Sequence, residues 1–283
     1  MKTGWVLLLG VLVWHLSCET GTAKPNAVRA GSAIVCAPGS NERISLRSTD
    51  RLPEASGAVR VECRGGTTEI EVQADSMKPA SLFGGDYNTY VLWVVPPRGA
   101  AENLGEIALD GDRGTLRAST AFSAFAVLIT AEPHYLVTTP SAFVVLKNKS
   151  ESDAPEVHYS VLEGVYNFER STLAHSKEAK GKVHTDVRQA FTAVRLAQRA
   201  GAPQLAAEEF VQADQALNET IHLWRQHADR NGFAAQARKT VRLAVAAQRL
   251  AMDRGVQGTQ IGQEGSGGGN DETGRRDQRG RLY

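Results

Sequence analysis

Seven histidines, three cysteines and a scatter of serines and carboxylates are the residues of this 283-residue chain whose types could do chemistry. A hydrolytic relay needs a nucleophile, a base and an orienting carboxylate within reach of one another. Ser141, His134 and Asp110 or Asp112 supply those types near the ends of extended segments, but no local motif presents the serine as a nucleophile. There is no G-x-S-x-G elbow, no H-E-x-x-H, no Walker loop, and no G-x-G-x-x-G set between a strand and a helix. His222 and His227 stand five apart on a predicted helix, which places them about 140° apart around its axis, a poor geometry for one ion. The glycine-rich stretch 265–269 has no flanking elements and so makes no phosphate cradle. These residues predict no enzymatic activity, no metal and no cofactor. The rival reading, a hydrolase acting on wall material, needs His134 or His158 within hydrogen-bonding reach of a carboxylate in a cleft.

The cysteines carry a different kind of information. Lys2 precedes an apolar run over 5–16, after which small and polar residues take over through Ala23, the layout of a secretory leader. The run is roughly 12 residues, whereas a helix needs about 20 to cross the hydrocarbon core. Two processing routes stay open. Gly21-Thr22-Ala23 suits an ordinary signal peptidase and would leave Lys24 first. Alternatively, Ser17 precedes Cys18 as a lipidation site requires, although His15 stands where an aliphatic residue belongs. Membrane contact is expected only if Cys18 is lipidated. On either route Cys36 and Cys63 remain, and in an oxidising compartment they could pair. The loop closed would be about 28 residues, for which chain entropy suggests roughly 3–4 kcal/mol. Two buried thiols are the other reading.

The overall charge steers the chain to no class of partner. Lys plus Arg number 32 against 31 Asp plus Glu, a net of +1, so no overall field steers the chain to nucleic acid. Arg275, Arg276, Arg279 and Arg281 cluster near the end, but interleaved acidic residues make that stretch read as a solvated tail.

The elements that must position these residues are of two kinds. Hydrophobic content of 42% and charged content of 22% are those of a folded globular chain. Over residues 30–146, short segments with period-two alternation are broken by Gly, Pro, Asn and Asp, which predicts seven to nine strands. The run Tyr90-Val91-Leu92-Trp93-Val94-Val95, ended by Pro96-Pro97, predicts a central strand buried on both faces. The exposed parts of Tyr87, Tyr90 and Trp93 are the candidate partner surface, with core packing as the alternative.

From about residue 177 to 254 the chain is rich in Ala, Leu, Gln, Arg and Glu, with apolar residues three and four apart. One stripe runs through Val187, Ala190, Phe191, Val194 and Ala197 to Gly201; a second through Ala206, Phe210, Ala213, Leu217, Ile221 and Trp224; a third through Phe233, Ala237, Val241, Ala244 and Val245. Helices of about 23–28 residues joined by short turns predict an up-down-up bundle. Glu208, Glu209, Asp214 and Glu219 match Arg195, Arg199, Arg238, Lys239 and Arg242 in number, as a solvated charged face would.

The fold class expected is therefore α+β: an N-terminal all-β sandwich of Ig-like kind followed by an antiparallel three-helix bundle. The expected organisation is a leader at 1–23, the sandwich at 28–149, a linker at 150–176, the bundle at 177–254 and a disordered tail at 255–283.

Two stretches resemble known families. The alanine spacing at Ala190, Ala193, Ala197 and Ala200, then Gly201-Ala202-Pro203 and Ala206, Ala207, Glu208, Phe210, Ala213 and Leu217, resembles a domain of unknown function in bacterial envelope proteins, where it often lies upstream of an OmpA-like peptidoglycan-binding domain. No OmpA-like domain follows here. The segment from Tyr90-Val91-Leu92-Trp93, through Asn103-Leu104-Gly105-Glu106, to Phe125-Ala126-Val127 is similar to the extracytoplasmic domain of anti-sigma-K-type regulators. That resemblance implies a sandwich fold, while the sigma-binding portion has no counterpart. Together they imply an exported, non-catalytic envelope protein, periplasmic or anchored as a lipoprotein. Its partner would be another envelope protein or a wall component.

Overall fold

The computed structural model describes residues 27–149, 154–167 and 184–267, and the side chains of all of these except 230 and 259–267. The leader with Cys18, and the tail beyond residue 267 with its arginine cluster, lie outside the described residues. The chain is α+β, and among the described residues an antiparallel sheet precedes four helices.

Among the described residues twelve strands are formed: β1 (Ala27–Ser32), β2 (Ile34–Val35), β3 (Asn41–Ser48), β4 (Ser56–Arg64), β5 (Thr67–Asp75), β6 (Thr89–Val95), β7 (Glu102–Ile107), β8 (Leu109–Asp110), β9 (Arg113–Thr120), β10 (Ala124–Glu132), β11 (Val144–Asn148) and β12 (Glu156–Val161). Ten of them make one sheet in the order β7-β6-β10-β11-β3-β4-β5-β9-β8, with β2 added beside β10. Alternation sets the register. Val59 faces Val72 and Val61 faces Ile70 across β4 and β5, so their side chains share the inner face while Arg60 and Glu71 share the outer. Gly65 and Gly66 turn that hairpin at φ of +46° and +99°, a conformation that strongly favours residues without Cβ.

The sheet curls until its ends approach: β7 lies against β9, and the Thr120 hydroxyl donates to Glu102 at 2.6 Å. The main core fills the interior, with Val59, Val72, Tyr90, Leu92, Phe125 and Val145 fully or almost fully buried. A second core lies on the outer face, where the ribbon of β1 and β12 covers β6 and β10. Val91, Trp93 and Val95 meet Val157, Tyr159 and Val161 there. Strand β6 is thus buried along its whole length.

Residues 156–161 are therefore not linker. Their alternation of Val157, Tyr159 and Val161 buries one face of β12 against the sheet, and β1, about 130 positions earlier, supplies the pairing edge.

The helices are α1 (Thr185–Arg199), α2 (Ala202–Leu205), α3 (Ala207–Arg225) and α4 (Arg230–Gly267). The first and third, at 15 and 19 residues, are shorter than the sequence spacing predicts, the beginning of the first expected helix lying among residues not described. Gly201, at φ +80°, reverses the chain after α1, and Pro203 starts the single turn of α2. Alanines at 190, 193, 213, 237 and 244 are fully buried around Val194, Leu217, Val241 and Val245. Phe191, expected on the buried stripe, is instead 47% exposed.

The helix α4 also runs on to Gly267, so residues 255–267 are helical rather than tail. A glycine inside a helix costs only about 1 kcal/mol, too little for Gly255 to end it. Gly255 also packs beside Leu205 of α2, where an added Cβ would sit 3.7 Å from the leucine side chain.

Candidate functional site: the junction of sheet and helices

The densest grouping of charged and polar side chains lies where α1 and α4 meet the sheet. The loop before β6 places Asp86 with no solvent exposure. Arg195 and Arg199, one turn apart on α1, converge on it: Arg195 donates to Oδ1 at 2.5 Å, while Arg199 donates to Oδ2 at 2.7 Å and to Oδ1 at 3.0 Å. The backbone N–H of Asn167 donates to Oδ2 at 2.9 Å. Burial alone would raise this carboxyl, but Arg199, the Asn167 amide and Arg195 outweigh it and hold it below its usual value. Next to it, Asn88 donates through Nδ2 to the Asp86 and Pro133 carbonyls and to the Thr192 hydroxyl of α1, all within 2.9–3.0 Å.

A second clamp is built on Glu106 of β7. Its Oε1 accepts from Thr89 and from Gln189 of α1, each at 2.6 Å, and its Oε2 accepts from Arg238 of α4 at 2.5 Å. Gln189 is buried and its carbonyl accepts from the Tyr135 amide at 2.9 Å, so one side chain bridges β7 and the segment after β10. The Arg238 guanidinium also lies 4.6 Å from the centre of the Tyr135 ring.

A cleft of about 220 Å³ opens beside this clamp, lined among others by Thr89, Glu106, His184, Asp186 and Arg238. His184 Nδ1 lies 3.0 Å from Asp186 Oδ2, and Arg238 Nε lies 3.5 Å from Asp186 Oδ1. An imidazole beside a carboxylate is half of a catalytic arrangement. Here, however, the Thr89 hydroxyl is already committed to Glu106, and His184 serves as the N-cap of α1 with its ring edge-on to Phe233. The arrangement holds helices against a sheet.

The candidates from the sequence fall elsewhere. Cys36 and Cys63 are joined in a disulfide, with Cα atoms 6.1 Å apart. Tyr87, Tyr90 and Trp93 do not form a surface: they are 7%, 1% and 0% exposed. Tyr87 packs on Phe143 and Tyr166, the Tyr90 hydroxyl donates to the Lys78 carbonyl, and Trp93 Nε1 donates to Thr130. The β1–β12 ribbon covers Trp93 on the outer face, whereas Tyr87 and Tyr90 point into the main core inside the sheet. Ser141 is fully buried and its hydroxyl donates to the Ala131 carbonyl, while Asp110 and Asp112 sit exposed at the turn between β8 and β9. Among the described residues no hydrogen bond connects them with His134. His158 Nε2 is 3.8 Å from Glu156, both exposed, and His222 is exposed on α3 with His227 beyond its end. Cys18 is outside the described residues.

Sequence reasoning missed Asp86 and Glu106 as anchors. It set Arg195, Arg199 and Arg238 against helical carboxylates in number only, whereas the structure pairs the first two with Asp86 in the loop before β6 and Arg238 with Glu106 of β7 and Asp186 of α1. The spacing of Arg195 and Arg199 at i and i+4, on a stripe adjoining the buried one, was the available signal.

A further buried group lies in the outer core. The Glu132 Oε1 accepts from the Ser141 amide at 2.7 Å and from the Thr130 hydroxyl at 2.5 Å, and Oε2 has no partner among the described residues. Burial, opposed by the hydrogen bonds from Ser141 and Thr130, pushes this carboxyl up to about 8, so it is neutral at pH 7. Compared with family models, with curated proteins and with solved structures, the chain has no match in any of the three.

Proposed function

We propose that this chain is an exported, non-catalytic protein of the bacterial cell envelope, acting as a structural or protein-interaction module. The observation that carries the reading is the disulfide between Cys36 and Cys63. It ties the segment after β2 to β4, and such bonds persist in oxidising compartments outside the cytoplasm. The short apolar leader agrees with it.

The junction supports the non-catalytic part. Its buried carboxylates are taken up by arginines, an amide and hydroxyls of the chain itself, as in a rigid joint. Within this reading the β portion is a sandwich of Ig-like kind, with β3-β4-β5-β9 facing β6-β10-β11 across the main core, and the long helices form an antiparallel three-helix bundle. The partner is an envelope protein or wall component. Among the described residues no helix is long and apolar enough to cross a membrane, so on this reading attachment rests on the processing of Cys18.

The test is crosslinking in intact cells followed by recovery of the chain from fractionated envelopes. Specific envelope partners are expected, and recovery of cytoplasmic partners alone overturns the proposal.

A further inference from the structure

A second cavity, of about 310 Å³, opens on the other side of the junction, between the segment after β10, Leu162 and Tyr166, and the helices α1 and α4. Its walls include the apolar side chains of Leu136, Leu162, Leu196 and Val245. His134 forms part of the lining, is 4% exposed, and keeps Nδ1 buried without a hydrogen-bond partner among the described residues. An unmatched polar atom in such a place costs free energy and is uncommon in a settled core. Arg249 of α4 lines the same cavity, is exposed, and has no ion pair among the described residues. Its charge reaches the imidazole: burial first, then Arg249, pushes His134 down to about 4, so the ring is neutral at pH 7. Asp253, one turn further along α4, also lines the cavity, and its charge opposes that of Arg249 there.

Arg195, Arg199 and Arg238 are paired with carboxylates at the junction, whereas Arg249 has no ion pair among the described residues. An apolar-walled space of this size with a cation and an unmatched imidazole has the composition of a small-molecule site. We propose that the cavity binds a small amphiphilic monoanion, a carboxylate with a short apolar body, its charged head at Arg249, beside the edge of the His134 ring, and its body against Leu196 and Val245. This goes beyond a structural role, since the junction clamps contribute no group to it.

The test is titration of the mature chain with sodium octanoate, followed by calorimetry and by the NMR signals of the His134 ring, with octanol and octyltrimethylammonium as uncharged and cationic counterparts. Saturable one-site binding of octanoate is expected, with octanol about tenfold weaker and the cation weaker still. Arg249→Gln, an exposed position whose change leaves the core intact, should reduce octanoate affinity about tenfold, to the level of octanol, and leave octanol unchanged. Octanoate that fails to saturate, that leaves the His134 signals unmoved, or that binds Arg249→Gln as well as the wild type overturns the proposal.

Discussion

The sheet and the helices bury their interiors with opposite kinds of side chain. Trp93, Tyr90, Phe125, Ile70 and Leu92 fill the two cores of the sheet, each at most 1% exposed. Between the helices, alanines at 190, 193, 213, 237 and 244 are among the fully buried residues, and a Thr220–Thr240 hydroxyl pair at 2.9 Å sits with them. Large side chains let strands meet across a wide interior, whereas alanine lets helix backbones approach closely. Joining the two regions are charged side chains. The difference teaches that the same chain is vulnerable to truncation in one region, to enlargement in another, and to loss of charge between them.

Trp93→Ala breaks the sheet side of this comparison most severely. It empties a fully buried indole and leaves Thr130 without its donor, and is expected to cost about 3–5 kcal/mol in urea unfolding. Asp86→Ala attacks the joint. Arg195 and Arg199 are partly exposed and can hydrate, so the expected cost is about 2–3 kcal/mol. Its particular signature is hydrogen exchange that accelerates in α1 while the amides of β6 and β10 stay protected. Equal acceleration in both would show that sheet and helices do not separate at this joint. Ala193→Leu sharpens the helical side, where overpacking is expected to cost about 1–3 kcal/mol with the sheet amides unaffected.

The pH dependence separates the regions more finely. Folded Glu132 holds its proton up to about pH 8, whereas the unfolded carboxyl releases it near 4.5, so its contribution to stability falls as pH rises across that window. Folded His134 stays neutral down to about pH 4, whereas the unfolded imidazole protonates near 6.5, so its contribution falls as pH drops from 6.5 to 4. The two slopes oppose each other below 6.5, and Glu132 acts without His134 above it. Unfolding free energy should therefore decline between pH 6.5 and 8, by up to about 2 kcal/mol at roughly 1.4 kcal/mol per unit. Glu132→Gln should flatten that decline. A decline that survives the substitution places its origin elsewhere.

What was legible in the sequence was local. Alternation in β4 and β5, the apolar run of β6 and the three-and-four spacing of the helical alanines all follow from periodicities of a few residues. The α+β class follows from them. What was not legible depends on chain returning from far away. The arginine clamps join residues 109, 113 and 132 positions apart, and nothing local to Asp86 or Glu106 announces that a helix will cover them. The aromatics of β6 carried their own warning: a strand read as buried on both faces leaves no room for Trp93 to face a partner. The β1–β12 ribbon, whose alternation at Val157, Tyr159 and Val161 was visible, is what closes that face. Gly255 misled for another reason, since one glycine costs a helix only about 1 kcal/mol and this helix continues through it, although further glycines follow.

The central claim, export into an oxidising compartment, is tested most directly by the intact mass of the chain recovered from envelope fractions, alkylated before and after reduction. The account predicts a chain that begins at Lys24 or at an acylated Cys18 and takes up alkyl groups at Cys36 and Cys63 only after reduction. A chain recovered from the cytoplasm, beginning at Met1 and alkylated at Cys18, Cys36 and Cys63 without reductant, would contradict it.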